Sequence, residues 1–348
     1  MQAVQYTDHG GREVVTYDET PDPVAGPGDV LVDVRAGALN HLDVWTREGL
    51  PGLDLEMPHV PGSDAAGVVV ETGEAVERFA AGDRVAVNAG GYCGQCEFCR
   101  HGEPTMCVDY EILGEHRPGV HAERVAVPED NLVEVPVGVD WETAAAAPLV
   151  FGTAWRMVVT RADLAPGETV LVLGASGGVG HAAVQIADFA GAEVFATASS
   201  ERKLDYARDI GADHAINYET ADFADAVREE TGKRGVDVVV DHVGGDTWND
   251  SLRSLAHGGR LVTCGATAGG RPQTPIPRVF GNQLSILGST MATPGELDDV
   301  LAKVWDGTFE VRVRETLPMS ETVRGHELLE DREGFGKVVV VPDSEYDG

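Results

Sequence analysis

The sequence predicts a two-domain α/β protein, with a mainly antiparallel β domain joined to a parallel, doubly wound sheet. Three observations predict it. Short apolar runs divided by Gly, Pro and Asp turns fill the first part of the chain. Near Trp155 the texture changes, and strand-like runs begin to alternate with helical patterns. The first strand of that alternation runs straight into the glycine-rich turn Gly174-Ala175-Ser176-Gly177-Gly178-Val179-Gly180. A length of 348 residues suits two domains.

In the first part, the runs at residues 30–34, 66–70 and 84–87 read as strands, bounded by turns at Pro27-Gly28-Asp29 and Ala81-Gly82-Asp83. In the second part, strands are expected at 169–173, 193–197, 214–217, 236–241, 260–264 and 284–288. Helices are expected at 181–190, 201–210 and 221–231, with Val179, Ala183, Ile186 and Ala190 on one packed face. After Thr290 the alternation stops. Residues 294–306 read as a helix, Leu317, Val323, His326, Glu327 and Leu328 surround a second, and 337–341 close as a strand. The tail is expected to return to the first domain. Residues 1–155 and 291–348 then form one domain and 156–290 the other.

The charge excludes several classes of function. Lys and Arg total 26 against 58 Asp and Glu, a net charge of −32. Such a surface repels nucleic-acid phosphates and anionic lipid. No apolar run reaches the roughly 20 residues that cross a bilayer. The start of the chain carries no basic segment followed by an apolar one, so a cytoplasmic location is expected. Only Lys203, Lys233, Lys303 and Lys337 are lysines; the other basic residues are Arg. An acidic, lysine-poor surface is similar to that of proteins from a high-salt cytoplasm; an ordinary acidic enzyme is the alternative reading. At about 1 M salt the screening length falls to roughly 3 Å and the self-repulsion fades.

Four of the five cysteines, Cys93, Cys96, Cys99 and Cys107, fall in a lobe at residues 90–110, spaced C-x2-C-x2-C-x7-C. Four thiolates at such spacing surround one Zn2+ and leave no open position, which makes a structural site. Two disulfides or an iron–sulfur cluster are the competing readings, and a cytoplasmic location disfavours the disulfides. Cys264 follows an apolar run and reads as a small buried residue.

The turn from Gly174 through Ser176, Gly177, Gly178 and Val179 to Gly180 follows a strand and opens a helix. Bare glycine backbone and a helix N-terminus together suit a pyrophosphate, and the six-unit alternation around them suits a nicotinamide dinucleotide. At the end of the next strand an NAD site usually places Asp or Glu on the ribose hydroxyls. Here that position is Ala198, followed by Ser199, Ser200, Glu201, Arg202 and Lys203. Hydroxyls and cations accept a 2′-phosphate, so NADP(H) is favoured over NAD(H). Arg202 and Lys203 also fit the start of a solvated helix.

With these motifs the chain resembles the medium-chain dehydrogenase/reductase superfamily, the group of zinc-type alcohol dehydrogenases and quinone oxidoreductases. The resemblance runs through Gly37–Asp43, Pro61–Gly67, the cysteine lobe, the glycine turn and Phe335–Val339. It implies a GroES-like domain, an inserted Rossmann domain and a substrate cleft between them. It also implies a catalytic zinc held by Cys, His and a third Cys or Asp, and here the chain departs. The C-H-x-D segment is Asn40-His41-Leu42-Asp43, the P-G-H-E segment is Pro61-Gly62-Ser63-Asp64, and Pro148–Thr153 offers no ligand. His41, His59, Asp43 and Asp64 are the nearby residues for an improvised site.

Without such a metal, the resemblance points to the zinc-independent branches. These transfer hydride to acceptors that delocalise charge by themselves, either enones and enoyl thioesters or quinones. Asn40 and the 2′-hydroxyl of the cofactor's own ribose are then the candidates to stabilise an enolate oxygen. His41 would touch the pyrophosphate, relay a proton or serve as a hydrogen-bonded scaffold histidine. Asp64 would order its loop, and Thr153 would lie beside the nicotinamide. Gly265, Ala266, Ser289 and Thr290 would meet the nicotinamide end, and Lys337 would approach the cofactor or lie at the surface. Trp45 and Phe151 are candidates to line the cleft, with core packing the default reading for an aromatic. An alcohol dehydrogenase with an atypical metal site and a non-enzymatic nucleotide-binding protein are the alternatives. The resemblance implies a homodimer or homotetramer paired through residues 284–288.

Overall fold

The computed structural model describes residues 1–331 and 334–346. The chain divides into two compact units. Met1–Leu149 and Thr293–Gly348 form the first, and Val150–Ala292 the second.

The first unit is built on a largely antiparallel sheet. Its order runs Val313–Pro318, Lys337–Val341, Asp29–Ala38, Asp64–Thr72, Arg84–Val87 and Leu132–Glu134, with Arg124–Pro128 also paired to Asp29–Ala38. Asp29–Ala38 buries alternate residues along most of its length, as a strand with one face on the core should. Lys337–Val341, by contrast, is buried throughout, so its Val run needs no polar partner residues. Val339 pairs with Ala38 and Val340 with Gly37, which carries Lys337 to the end of the strand that leads into Asn40. One expectation is corrected here. Leu317 lies in the strand Val313–Pro318, parallel to Lys337–Val341, and the helix begins only at Thr322 and runs to Glu330. The β-branched and alternating run Val311-Arg312-Val313-Arg314 favours the strand.

The second unit is a six-stranded parallel sheet, ordered His214–Asn217, Glu193–Ala198, Thr169–Val172, Val236–Val240, Leu255–Thr263 and Ser285–Gly288. Helices Gly178–Phe189, Glu201–Asp209, Phe223–Glu230 and Trp248–Ser254 connect them. The expected order of elements is met, with shifts at the ends. Leu255–Thr263 starts five residues before the expected strand, because Leu255 pairs with Val236 ahead of a register break. Leu171, Phe195, Val239, Leu252 and Leu261 form the core beneath the sheet. Among the described residues no helix is long and apolar enough to cross a membrane.

Candidate active site

In the second unit, the carboxyl ends of the strands carry the glycine turn. This is where an open parallel sheet receives its ligand. Gly174 adopts a φ of +58°, open to glycine at little cost. A Cβ at Gly180 would collide with the Gly174 carbonyl, so the helix Gly178–Phe189 starts pressed against the turn. The turn is anchored from Thr197, whose carbonyl accepts from Ala175 N at 3.0 Å and whose hydroxyl accepts from Gly174 N at 3.2 Å.

Beyond the next strand, Lys203 Nζ donates to Ser199 Oγ at 3.1 Å, and Lys203 is only 7% exposed. It is therefore not a solvated surface residue, although Arg202 beside it is exposed. Tyr218, which the sequence did not single out, joins this corner through its backbone N–H, 3.2 Å from the Ala198 carbonyl.

His242 is a second residue the sequence passed over. The buried Asp241 accepts from Val243 N and Gly244 N, both at 2.9 Å, and from Ser251 Oγ at 2.8 Å. This fixes the turn that aims the imidazole at the glycine loop. A Cβ at Gly174 would sit 3.3 Å from His242 Nε2. Burial pulls the ring below the usual histidine range, against the pull of Asp241. His242 Nδ1, Thr153 Oγ1 and Ser289 Oγ are buried polar atoms without a partner among the described residues. A dinucleotide offers partners for such atoms, so this unit fits the group. Gly265 and Ala266 follow Leu255–Thr263, and Ser289 and Thr290 follow Ser285–Gly288, with Ser289 N held 2.8 Å from the Thr263 carbonyl. Phe151 is fully buried, edge-on to His181 at 5.3 Å between centroids. It packs the core of its unit, the default expectation for an aromatic, and its candidacy to line a cleft is dropped.

In the first unit, Asn40 caps the helix His41–Glu48. Its backbone N–H donates to Asp43 Oδ2 at 2.7 Å, and its backbone carbonyl accepts from Asp43 N at 3.0 Å. Its side chain faces the other way, into a buried cluster. Asn40 Nδ2 donates to Asp64 Oδ2 at 2.9 Å and to the Ala38 carbonyl at 3.3 Å. Lys337 Nζ donates to Asn40 Oδ1 at 2.5 Å and to Asp64 Oδ2 at 3.2 Å. Leu149 N donates to Asp64 Oδ1 at 2.9 Å. Lys337 is 3% exposed and Asp64 fully buried. A surface role for Lys337 is thereby corrected: its strand is the buried one, and its charge is paired inside. His41 opens the helix, half-buried, 6.4 Å from the Trp45 ring. Burial raises the Asp43 carboxyl to about 7, against the Asn40 backbone hydrogen bond and the Lys337 charge.

The residues named for an improvised metal site do not converge. Among the described residues, one set of three or more His, Cys, Asp or Glu brings its ligand atoms within 4.8 Å of one another, and it is Cys93, Cys96, Cys99 and Cys107. His59 Nε2 donates to the Gly114 carbonyl at 3.0 Å, and Ser63 Oγ donates to the Leu113 carbonyl at 2.7 Å. Asp43 Oδ2 is committed to the Asn40 cap, while Oδ1 is buried without a partner among the described residues and joins no set of three metal-ligating groups. The donors at this position, an amide already bound to an ammonium and a turned-away hydroxyl, do not suit a catalytic metal.

The cysteine lobe is different. Its four thiols are free of disulfides. Backbone N–H groups of Cys93 and Asp109 point at Cys107 Sγ, and that of Cys96 at Cys93 Sγ, at 3.3–3.4 Å. Backbone hydrogen bonds lower the Cys96 thiol to about 6, whereas burial pushes Cys99 up to about 12. Four crowded sulfurs cannot all ionise without a cation among them.

Comparison with known proteins agrees with this architecture. Residues 26–137 match the model of the alcohol dehydrogenase GroES-like domain, and residues 178–306 that of the zinc-binding dehydrogenase. The acryloyl-coenzyme A reductase of Metallosphaera sedula is 33% identical, over 98% of this chain and 99% of its own. The quinone oxidoreductase of Pseudomonas aeruginosa is 32% identical, over 97% and 99%. A solved structure described as an NAD-dependent alcohol dehydrogenase superposes with a TM-score of 0.94 at 46% identity, covering 98% of this chain and 99% of that one. Fold, glycine turn and relatives together establish that the chain belongs to the medium-chain dehydrogenase/reductase superfamily and is an NAD(P)-dependent oxidoreductase.

Proposed function

We propose that the protein is an NADPH-dependent reductase of double bonds conjugated to a carbonyl or thioester, or of quinones, working without a catalytic zinc. One observation carries the reading. At Asn40 and Asp64 a buried ammonium, Lys337, already fills the role of cation. With no Lewis acid to polarise a plain alcohol or ketone, the chemistry suits an acceptor that spreads negative charge by itself. The acryloyl-coenzyme A reductase and quinone oxidoreductase relatives support that acceptor class.

When bound, the nicotinamide supplies the hydride, and this chain supplies placement. The amides of the glycine turn and of the helix Gly178–Phe189 face the pyrophosphate. Ser199, Lys203 and Tyr218 receive the 2′-phosphate, which favours NADP(H). Thr153, Ser289 and the backbone at Gly265, Ala266 and Thr290 orient the nicotinamide end. His41 either contacts the pyrophosphate or relays a proton. Cys93, Cys96, Cys99 and Cys107 hold one structural Zn2+. Ile276, Phe280 and Ile286 are exposed around the edge strand Ser285–Gly288, which suits pairing with a second copy.

A second reading, an alcohol dehydrogenase using NAD, is favoured by the 46% identical solved structure described in those words. Turnover of NADPH and NADH with an enone, an enoyl thioester, a quinone, an aldehyde and an alcohol separates the two, run with and without a chelator. Chelator-resistant reduction of the conjugated acceptors with NADPH is the expected result. Chelator-sensitive alcohol oxidation with NAD would replace this reading by the second.

A further inference from the structure

The donors around Asn40 and Asp64 do not suit a metal ion because a positive charge is already in place. We infer that the Lys337 ammonium is a catalytic residue, the fixed cation that hydrogen-bonds the acceptor's oxygen as negative charge develops there. The inference rests on the reading that the protein reduces conjugated acceptors.

An ammonium has three donors. Lys337 gives one to Asn40 Oδ1 and one to Asp64 Oδ2, and no third acceptor is found among the described residues. At 3% exposure, bulk water does not saturate the remaining N–H. Asn40 has nothing to give in its place, because its two amide hydrogens go to Asp64 and the Ala38 carbonyl. Asp64 is an acceptor and is itself held by Leu149 N. Lys337 is therefore the donor left in the cluster.

Its position is also fixed in advance. Lys337 opens a buried strand paired to Asp29–Ala38, and Asn40 is pinned as a helix cap. A cation held rigidly out of water stabilises a nascent oxyanion without reorganising. In the reaction, the acceptor takes hydride at its β-carbon, and the C=C pair shifts to leave an enolate on the oxygen. A proton from water at the α-carbon then restores the carbonyl. Lys337 gives up no proton in this sequence.

Lys337→Met removes the charge and keeps the volume, whereas Lys337→Ala also leaves a cavity. With an enone that the parent protein reduces, kcat is expected to fall about 100-fold or more in both, with the Kd for NADPH unchanged. Added ethylamine should restore turnover in Lys337→Ala and not in Lys337→Met, a difference that a merely structural lysine would not produce. Folded variants with parental kcat would overturn the inference. A measurement on the parent protein covers the case in which the variants fail to fold. 4-Nitrophenol bound with NADP+ should absorb as its phenolate below its free pKa, and binding only as the neutral phenol, or not at all, would overturn the inference. A parent protein that reduces no conjugated acceptor would bring down the proposed function instead, and the nitrophenol spectrum would still decide the lysine.

Discussion

Lys337 Nζ and Asp64 Oδ2 lie 3.2 Å apart in a pair that water hardly reaches, though the residues are far apart in sequence. The pair joins the C-terminal strand to the start of Asp64–Thr72. Its partners depend on each other, because a buried charge left alone is costly while a replaced pair is not. Asp64→Ala should cost about 3–5 kcal/mol, read by urea denaturation. The double variant Asp64→Ala, Lys337→Met should be less destabilised than Asp64→Ala alone. Additive losses would show that the two charges do not compensate each other.

The corner formed by Ser199, Lys203 and Tyr218 sets cofactor choice in this account. Lys203→Ala should raise the Kd for NADPH about tenfold, the loss of roughly one charge-assisted hydrogen bond. The Kd for NADH should stay nearly unchanged. Fluorescence titration of both cofactors checks this, and equal weakening of the two would remove Lys203 from the 2′-phosphate.

His242 Nε2 faces Gly174 of the glycine turn, which in the proposed binding mode takes the pyrophosphate common to both cofactors. His242→Ala should therefore weaken NADPH and NADH alike, while binding of adenosine 2′-monophosphate is unaffected. Weakening of the nucleotide fragment would move His242 to the adenosine end.

Acid stability follows from histidines buried in neutral form. Arg47 donates to His326 Nδ1 at 3.0 Å, so that nitrogen accepts and the proton sits on Nε2, which donates to the Tyr6 oxygen at 3.4 Å. Tyr6 in turn donates to the Asp43 carbonyl at 3.0 Å. Burial lowers His326 to about 3, helped by the charge of Arg47, then by His121 and Arg12. Burial against Gly37 and Gly62, and then the Lys337 charge, lower His121 to about 4. Unfolded histidine titrates near 6.5. The unfolded chain therefore binds more protons than the folded one below that pH. The stability is fully present above about pH 6.5 and is lost as pH falls toward 4. Asp43, raised to about 7, acts in the opposite sense over the same range, since its folded form takes up the proton first. Two histidines should outweigh one carboxyl, so the urea midpoint should fall between pH 7 and pH 4.5. His121→Asn should flatten that fall.

The fold was legible where one period dominates. The runs at 169–173 and 193–197 and the glycine turn declare a parallel sheet, and those elements stand where expected. Val313–Pro318 was missed because Leu317 sits at helical spacing to later apolar residues, and its true partner, Lys337–Val341, is non-local. The cysteine lobe was readable because its ligands are close in sequence. The Asn40–Asp64–Lys337 cluster was named residue by residue but not as a cluster. A lysine before a Val run looks like a surface charge until the strand pairing places it beside Asn40. His242 and Tyr218 left no pattern, since each depends on a neighbouring strand end.

The count of zinc atoms per chain, in protein prepared with and without added zinc, bears most directly on the central claim. The account predicts one in both preparations, held by Cys93, Cys96, Cys99 and Cys107. Two per chain in both would mean a second tightly bound metal and contradict it.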